Sequence, residues 1–165
     1  MPSITLDTSA LPADDLRAAL EPQGFDFAVV SVTHRELRGS SFTASVAPLT
    51  KVPEAAVWDE SEWDEAVWGD QAGVECLERA LAVMSSRSFP PPAKRASLTA
   101  GEHRQLRDAM IFCAHVRERR DIFVTSDTTG FIDGSRREQL AAQFHTRIMT
   151  RAEFVAEFCP GGAAA

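Results

Sequence analysis

Three acidic residues stand where a chain of alternating strands and helices would gather them on one edge of a sheet, and a fourth comes from a helix. Asp7 directly follows the apolar element Ile4-Thr5-Leu6, and Asp127 lies two residues beyond Thr125, the end of Asp121-Ile122-Phe123-Val124-Thr125. Glu36 closes Thr33-His34-Arg35-Glu36, just after an apolar run that ends at Val32. Asp108 belongs to a helix, and the segment after it, Ala109-Met110-Ile111-Phe112-Cys113-Ala114-His115-Val116, is apolar almost all round. A helix of that kind is buried, so Asp108 stands at the rim of the interior. Each acid alone has a plainer reading. Asp7 could cap the first helix, Glu36 could close a capping box with Thr33, Asp108 could pair with a neighbouring Arg, and Asp127 could be a turn residue. Together they ask for more, because carboxylates sharing one cleft repel and take up protons at pH 7 unless a cation sits between them. A hard dication with oxygen ligands resolves the conflict, and Mg²⁺ or Mn²⁺ suits carboxylates that leave room for water and phosphate oxygens. Such an ion lowers the pKa of water and steadies charge on an in-line phosphodiester displacement.

These acids require a scaffold, and the chain spells one out. Pro12 with Asp14 and Asp15 starts a helix to about Leu20, and Phe25-Asp26-Phe27-Ala28-Val29-Val30-Ser31-Val32 reads as a strand buried on both faces. Thr33 and Glu36 form a capping-box pattern for the next helix, and residues 39–53 read as a loop. Val74, Leu77, Leu81 and Met84 make a helical stripe ending near Ser86, and Phe89-Pro90-Pro91-Pro92 is a stiff connector. Thr99 and Glu102 box a helix running to about Arg119, followed by the strand Asp121–Thr125. Ser135 to Glu138 caps a short helix, Thr146–Thr150 is the last strand, and Thr150 with Glu153 opens a helix that stops before Pro160. The closing alanines are expected to fray. Short strands alternating with helices predict a three-layer α/β/α domain, with a mainly parallel central sheet of four to five strands. In such sheets the site lies at the carboxyl ends of the strands, near the switch in strand order.

The whole chain, 1–165, is expected to form one domain, with a helical acidic insertion at about 39–98. Residues 52–78 hold nine acids and no base, with Trp58, Trp63 and Trp68 spaced by five. That spacing does not keep the rings on one helical face. A partly exposed helical insertion is the plain reading, and an acidic lid or partner surface the functional one. The formal charge of −7 is uneven, since residues 1–78 carry four bases against fifteen acids while the second half is net basic. That basic half keeps a nucleic-acid partner open in an otherwise acidic chain. No apolar run is long enough to span a membrane. The opening residues lack the pattern of a secretory signal. Cys76, Cys113 and Cys159 lie far apart in the sequence with no Cys-x-x-Cys, which argues against a disulfide framework or a structural zinc site and fits a reducing cytoplasm.

At this point the residues resemble a family, the PIN-domain nucleases, which include the VapC-type toxins. The resemblance rests on Leu6-Asp7-Thr8-Ser9-Ala10-Leu11, Val30-Ser31-Val32-Thr33-His34-Arg35-Glu36-Leu37, Arg107-Asp108-Ala109-Met110 and Val124-Thr125-Ser126-Asp127, and covers about residues 3–158. It implies a Mg²⁺ or Mn²⁺ site made by Asp7, Glu36, Asp108 and Asp127, with Ser9 and Thr125 as supporting hydroxyls. It further implies metal-dependent cleavage of RNA, and it allows a small protein inhibitor of the antitoxin kind and a homodimer. The segment 39–98 is longer than in compact toxins. Among residues outside these motifs, Arg136 and Arg137 follow the Asp127 loop and are candidates to hold a nucleic-acid backbone, or a solvated helix start. His115 lies two turns past Asp108 and reads first as a core histidine. Two rivals stay open. One is a PIN-like module that binds RNA or protein without cutting. The other is a phosphatase of the haloacid dehalogenase type, whose chemistry wants a second Asp where this chain has Ser9.

Overall fold

The computed structural model describes residues 1–85 and 88–160. Ser86, the expected end of one helix, and the alanines expected to fray lie outside the described residues. In chain order the elements are β1 (Ser3–Leu6), α1 (Asp14–Leu20), β2 (Asp26–Val30), α2 (Ser31–Glu36), α3 (Thr43–Val46), β3 (Thr50–Val52), β4 (Glu54–Ala55) and β5 (Ala66–Val67). They continue as α4 (Gln71–Met84), α5 (Ala100–Arg117), β6 (Ile122–Thr125), α6 (Thr128–Phe131), α7 (Arg136–Phe144), β7 (Arg147–Thr150) and α8 (Arg151–Phe158).

Five strands form one sheet in the order β3-β2-β1-β6-β7, and every pairing is parallel. A parallel sheet needs cover on both faces, and the strand sequences provide for it. In β2, Ala28 and Val30 face one core while Phe27 and Val29 face the other; in β6, Phe123 opposes Ile122 and Val124 in the same way. The first core packs against α4, α5 and α7 through Leu81, Phe112 and Leu140, the second against α1 and α8 through Leu16 and Phe154. The fold is therefore the expected three-layer α/β/α arrangement. No helix among the described residues is long and apolar enough to cross a membrane.

Two of the three later capping boxes form as the sequence specifies. Thr99 with Glu102 caps α5, and Thr150 with Glu153 caps α8, each with both reciprocal hydrogen bonds present. The third does not form. Ser135 takes a left-handed backbone at φ 63° and caps nothing, its hydroxyl accepting instead from the Gln139 amide at 2.9 Å.

The region after β2 departs further from expectation. The strand stops at Val30, and α2 begins at Ser31, so Thr33 and Glu36 lie inside the helix rather than at its cap. The reason is long-range. Ser31 is buried and bonds Glu54, while the hydroxyl of Thr33 meets that of Thr8 at 3.2 Å. Within 39–53, read as loop, lie α3 and β3, and β3 is an edge strand of the main sheet in register with Ala28–Val30. The acidic stretch is not helical before Gln71. β4 and β5 pair in parallel, turns join them, and Asp70 then caps α4 by accepting from the Gly73 N–H at 2.9 Å.

Candidate active site

The chain builds the sheet from β1 outward to β3, then returns to the other side of β1 to place β6 and β7. The order thus switches between β1 and β6, where loops leaving adjacent strand ends diverge and open a crevice. Asp7 is the residue after β1, and Asp127 follows β6 by two. Helix α2 brings Glu36 in from one side, and α5 brings Asp108 and Arg104, one turn apart, from across the sheet edge. Asp7, Glu36, Asp108 and Asp127, with Thr8, Ser9, Leu37 and Arg104, line one cleft of about 450 Å³.

Asp7 is the fixed point. It is 2% exposed, and its Oδ2 accepts from the hydroxyls of Ser9 at 2.5 Å and Thr125 at 2.8 Å. Those hydroxyls also meet each other at 3.1 Å. Ser9 accepts from the Ser126 N–H and Thr125 from the Asp127 N–H, so both loops are tied to the same carboxylate. The other oxygen of Asp7, Oδ1, is buried without a partner. Glu36 stands at the open rim and accepts from the Thr8 hydroxyl at 2.7 Å. Asp127 caps α6 through the Gly130 N–H at 3.0 Å, so the turn reading of this residue holds alongside its place in the cleft.

Crowding shows in the proton affinities. Burial pushes the Asp7 carboxyl up, the Ser9 and Thr125 hydrogen bonds oppose, and Asp127 adds to the rise. Desolvation also raises Glu36, against the Thr8 hydrogen bond and with Asp7 contributing. Asp108 is raised to about 8, by burial first and then by the negative charges of Asp7, Asp127 and Glu36, with Arg104 pulling the other way. Among the described residues none of these four carboxylates takes part in an ion pair.

Four oxygen-donor side chains with no ion-pair partner among the described residues, one with an orphaned buried oxygen, are a donor set that fits a hard dication. Among the described residues, no three His, Cys, Asp or Glu side chains close into a ready-made ligating group. The carboxylates surround the cleft rather than clasp a point within it.

Two residues expected near the site are committed elsewhere. Arg136 donates to the carbonyls of Met84 at 3.2 Å and Asp133 at 3.1 Å, tying the start of α7 to the end of α4. Arg137 donates to Glu153 at 2.8 Å. Neither lines the cleft, and the cation that does is Arg104. Its signal was available in its position four residues before Asp108 on one helix. Thr8 was likewise hidden between two residues of the first motif. His115 is a core histidine: its ring nitrogens meet the Thr5 hydroxyl at 2.9 Å and the Thr146 hydroxyl at 2.6 Å, and burial holds its pKa down at about 3.

A second hollow of about 340 Å³ adjoins Glu36 and is walled by Arg35, Glu60, Glu62 and Arg107. Glu60 is held by Arg107 at 2.8 Å and by His103, both from α5. The acidic segment is thereby docked onto the helix that carries Asp108.

The fold and cleft define a class: a parallel α/β domain with an uncompensated carboxylate cluster at its topological switch point. Compared with protein-family models, with curated proteins and with solved structures, the chain matches none.

Proposed function

We propose that the protein is a divalent-metal-dependent endoribonuclease of the PIN type, hydrolysing RNA phosphodiester bonds. One observation carries this reading: four carboxylates from four separate elements line a single cleft, and among the described residues no cation forms an ion pair with any of them. Asp7, Asp108, Asp127 and Glu36 would hold Mg²⁺ or Mn²⁺, which when bound supplies a water of lowered pKa and neutralises charge on the phosphate.

The remaining work falls to the chain itself. Ser9 and Thr125 both bond Oδ2 and so fix the rotamer of Asp7, leaving its buried Oδ1 without a protein partner. Thr8 orients Glu36. Burial and the neighbouring carboxylates favour the protonated form of Asp108 near neutral pH, so a bound cation would compete with that proton. Arg104, the one cation on the cleft wall among the described residues, would meet a substrate phosphate.

The test is incubation of the purified protein with an RNA panel and Mg²⁺ or Mn²⁺. Cleavage lost in Asp7→Asn supports the reading. RNA left intact by the wild type, together with Mn²⁺ binding unchanged in Asp7→Asn, sinks it. A module that binds without cutting is the second reading, favoured by the absence of a ready-made ligating group among the described residues; it predicts RNA or protein binding with no carboxylate-dependent Mn²⁺ uptake. The phosphatase reading is disfavoured because Ser9 spends its hydroxyl on Asp7. An inhibitor protein of the antitoxin kind and a homodimer belong to this proposal as partners to be sought by co-purification and by mass in solution.

A further inference from the structure

Helices α4 and α5 pack side by side in the first core, and at their contact Cys76 of α4 meets Cys113 of α5 with the two sulfurs 2.7 Å apart. The separation along the chain hides this pair from any local motif. Two thiols in such contact on adjacent rigid helices need to move by well under an ångström to reach a bond of about 2.05 Å. Their exposure differs in a useful way. Cys113 is 4% exposed, whereas Cys76 is only half-buried. Both line a surface hollow of about 270 Å³ with Gly73, Arg79, Val116 and Phe144, so a small oxidant can reach the outer sulfur. The guanidinium of Arg79 is held in place by the Gln143 carbonyl at 3.1 Å and by the Phe144 ring at 4.8 Å, leaving a fixed positive charge beside the pair.

We propose that Cys76 and Cys113 form an oxidisable thiol pair, which closes a disulfide between α4 and α5 when a peroxide reaches the hollow. The Cys76 thiolate attacks one peroxide oxygen, the O–O bond breaks, and hydroxide leaves, giving a sulfenic acid on Cys76. The Cys113 sulfur then attacks the Cys76 sulfur, and its proton leaves with the displaced hydroxide as water. In balance, two thiols lose two electrons and one peroxide becomes two waters. The order follows from the surroundings: an S–H from Cys113 stabilises the Cys76 thiolate and holds that thiol below its usual range, with Arg79 contributing, while burial pushes Cys113 up. The bond would staple the helix that follows the tryptophan-bearing segment to the helix that carries Asp108. It does not depend on what the carboxylate cleft does.

Treatment of the full-length protein with hydrogen peroxide, followed by intact mass and a non-reducing peptide map, tests this. The expected result is loss of two hydrogens, a peptide linking Cys76 to Cys113, free Cys159, and a thermal midpoint several degrees higher than that of the reduced protein. Cys76→Ser, at the half-exposed position, should abolish the link while keeping the reduced protein's far-UV spectrum. Cys113→Ala should convert oxidation into a trapped sulfenic acid on Cys76, captured by dimedone. A wild-type product in which Cys76 gains oxygen atoms while Cys113 still alkylates under denaturant would overturn the proposal. So would a linked peptide containing Cys159.

Discussion

Two acid-rich regions lie against α5, and they treat negative charge in opposite ways. In the segment from β4 to β5, four of the six acids meet cations. Glu54 meets Arg35 at 2.6 Å, Glu60 meets Arg107 at 2.8 Å and His103, Glu62 meets Arg38 at 3.0 Å, and Glu65 meets Lys51. Next to Arg107 in the chain, Asp108 shares its cleft with three more carboxylates, and these four have no ion-pair partners among the described residues. A count of acids along the sequence would rank the first region as the more electronegative. The structure reverses that, because compensated acids clamp a segment in place while uncompensated ones store unfavourable energy that a ligand can release.

The same contrast appears among the aromatics. Trp63 stacks on Trp68 at 4.1 Å, with Trp58 edge-on to both at 6.2 and 6.3 Å. Residues five apart cannot share a helical face, but turns between two short strands bring them together. The rings of Trp58 and Trp63 remain largely exposed.

Substitution in each region should break the comparison if it is wrong. The largest effect is expected for Asp7→Asn, which should cut Mn²⁺-dependent RNA cleavage by at least about 10²-fold, beyond what supporting groups cost, with an unchanged circular dichroism spectrum. Burial pushes the Glu54 carboxyl up as well, but Arg35 opposes it, so Glu54→Gln should leave Arg35 facing a buried neutral partner and lower the unfolding free energy by about 3 kcal/mol in urea titration. Asp108→Asn should do the reverse in the metal-free protein, raising stability by about 1 kcal/mol at neutral pH, since it spares the native state the cost of protonating a carboxyl that the unfolded chain ionises. If both substitutions destabilise alike, the two regions are not electrostatically distinct.

The pH dependence sharpens the point. Asp108 is raised in the folded protein to about 8 from the ordinary carboxylate value of 3.8. Between these values the native state binds more protons than the unfolded chain, so this group's contribution falls as pH rises and is lost through about pH 8. The metal-free thermal midpoint should therefore decline from pH 5 towards 8. The decline should flatten in Asp108→Asn, and saturating Mn²⁺ should oppose it in the wild type.

Smaller effects are expected around the cleft. Thr125→Val and Ser9→Ala each loosen Asp7 and should reduce cleavage by about 10-fold to 100-fold, read as initial rates at saturating Mn²⁺. Gly130→Ala is the mildest. Its new Cβ would stand 2.5 Å from Asp127 Oδ2, so the carboxylate must shift, at a cost of about 1 kcal/mol in stability and a several-fold loss of rate.

Local chemistry made much of the scaffold legible. The apolar runs of β1, β2, β6 and β7 fixed the parallel sheet because strands covered on both faces have no polar side to alternate. Thr99-Glu102 and Thr150-Glu153 announced their helices because a capping box is closed by residues three apart. Asp7 and Asp127 could be placed on one edge because each follows its strand within two residues, and all parallel strands end on the same side.

What the sequence left open depended on partners distant along the chain. Ser31 and Thr33 look like the end of a strand and a helix cap until Glu54 and Thr8 arrive to satisfy their hydroxyls. The Arg136-Arg137 pair looks like a phosphate grip until Met84 and Glu153 claim it. Whether an acid is compensated, and whether two cysteines touch, are questions about neighbours across the fold. Composition and spacing bear on a residue's own conformation, but only packing decides which charges are left facing one another.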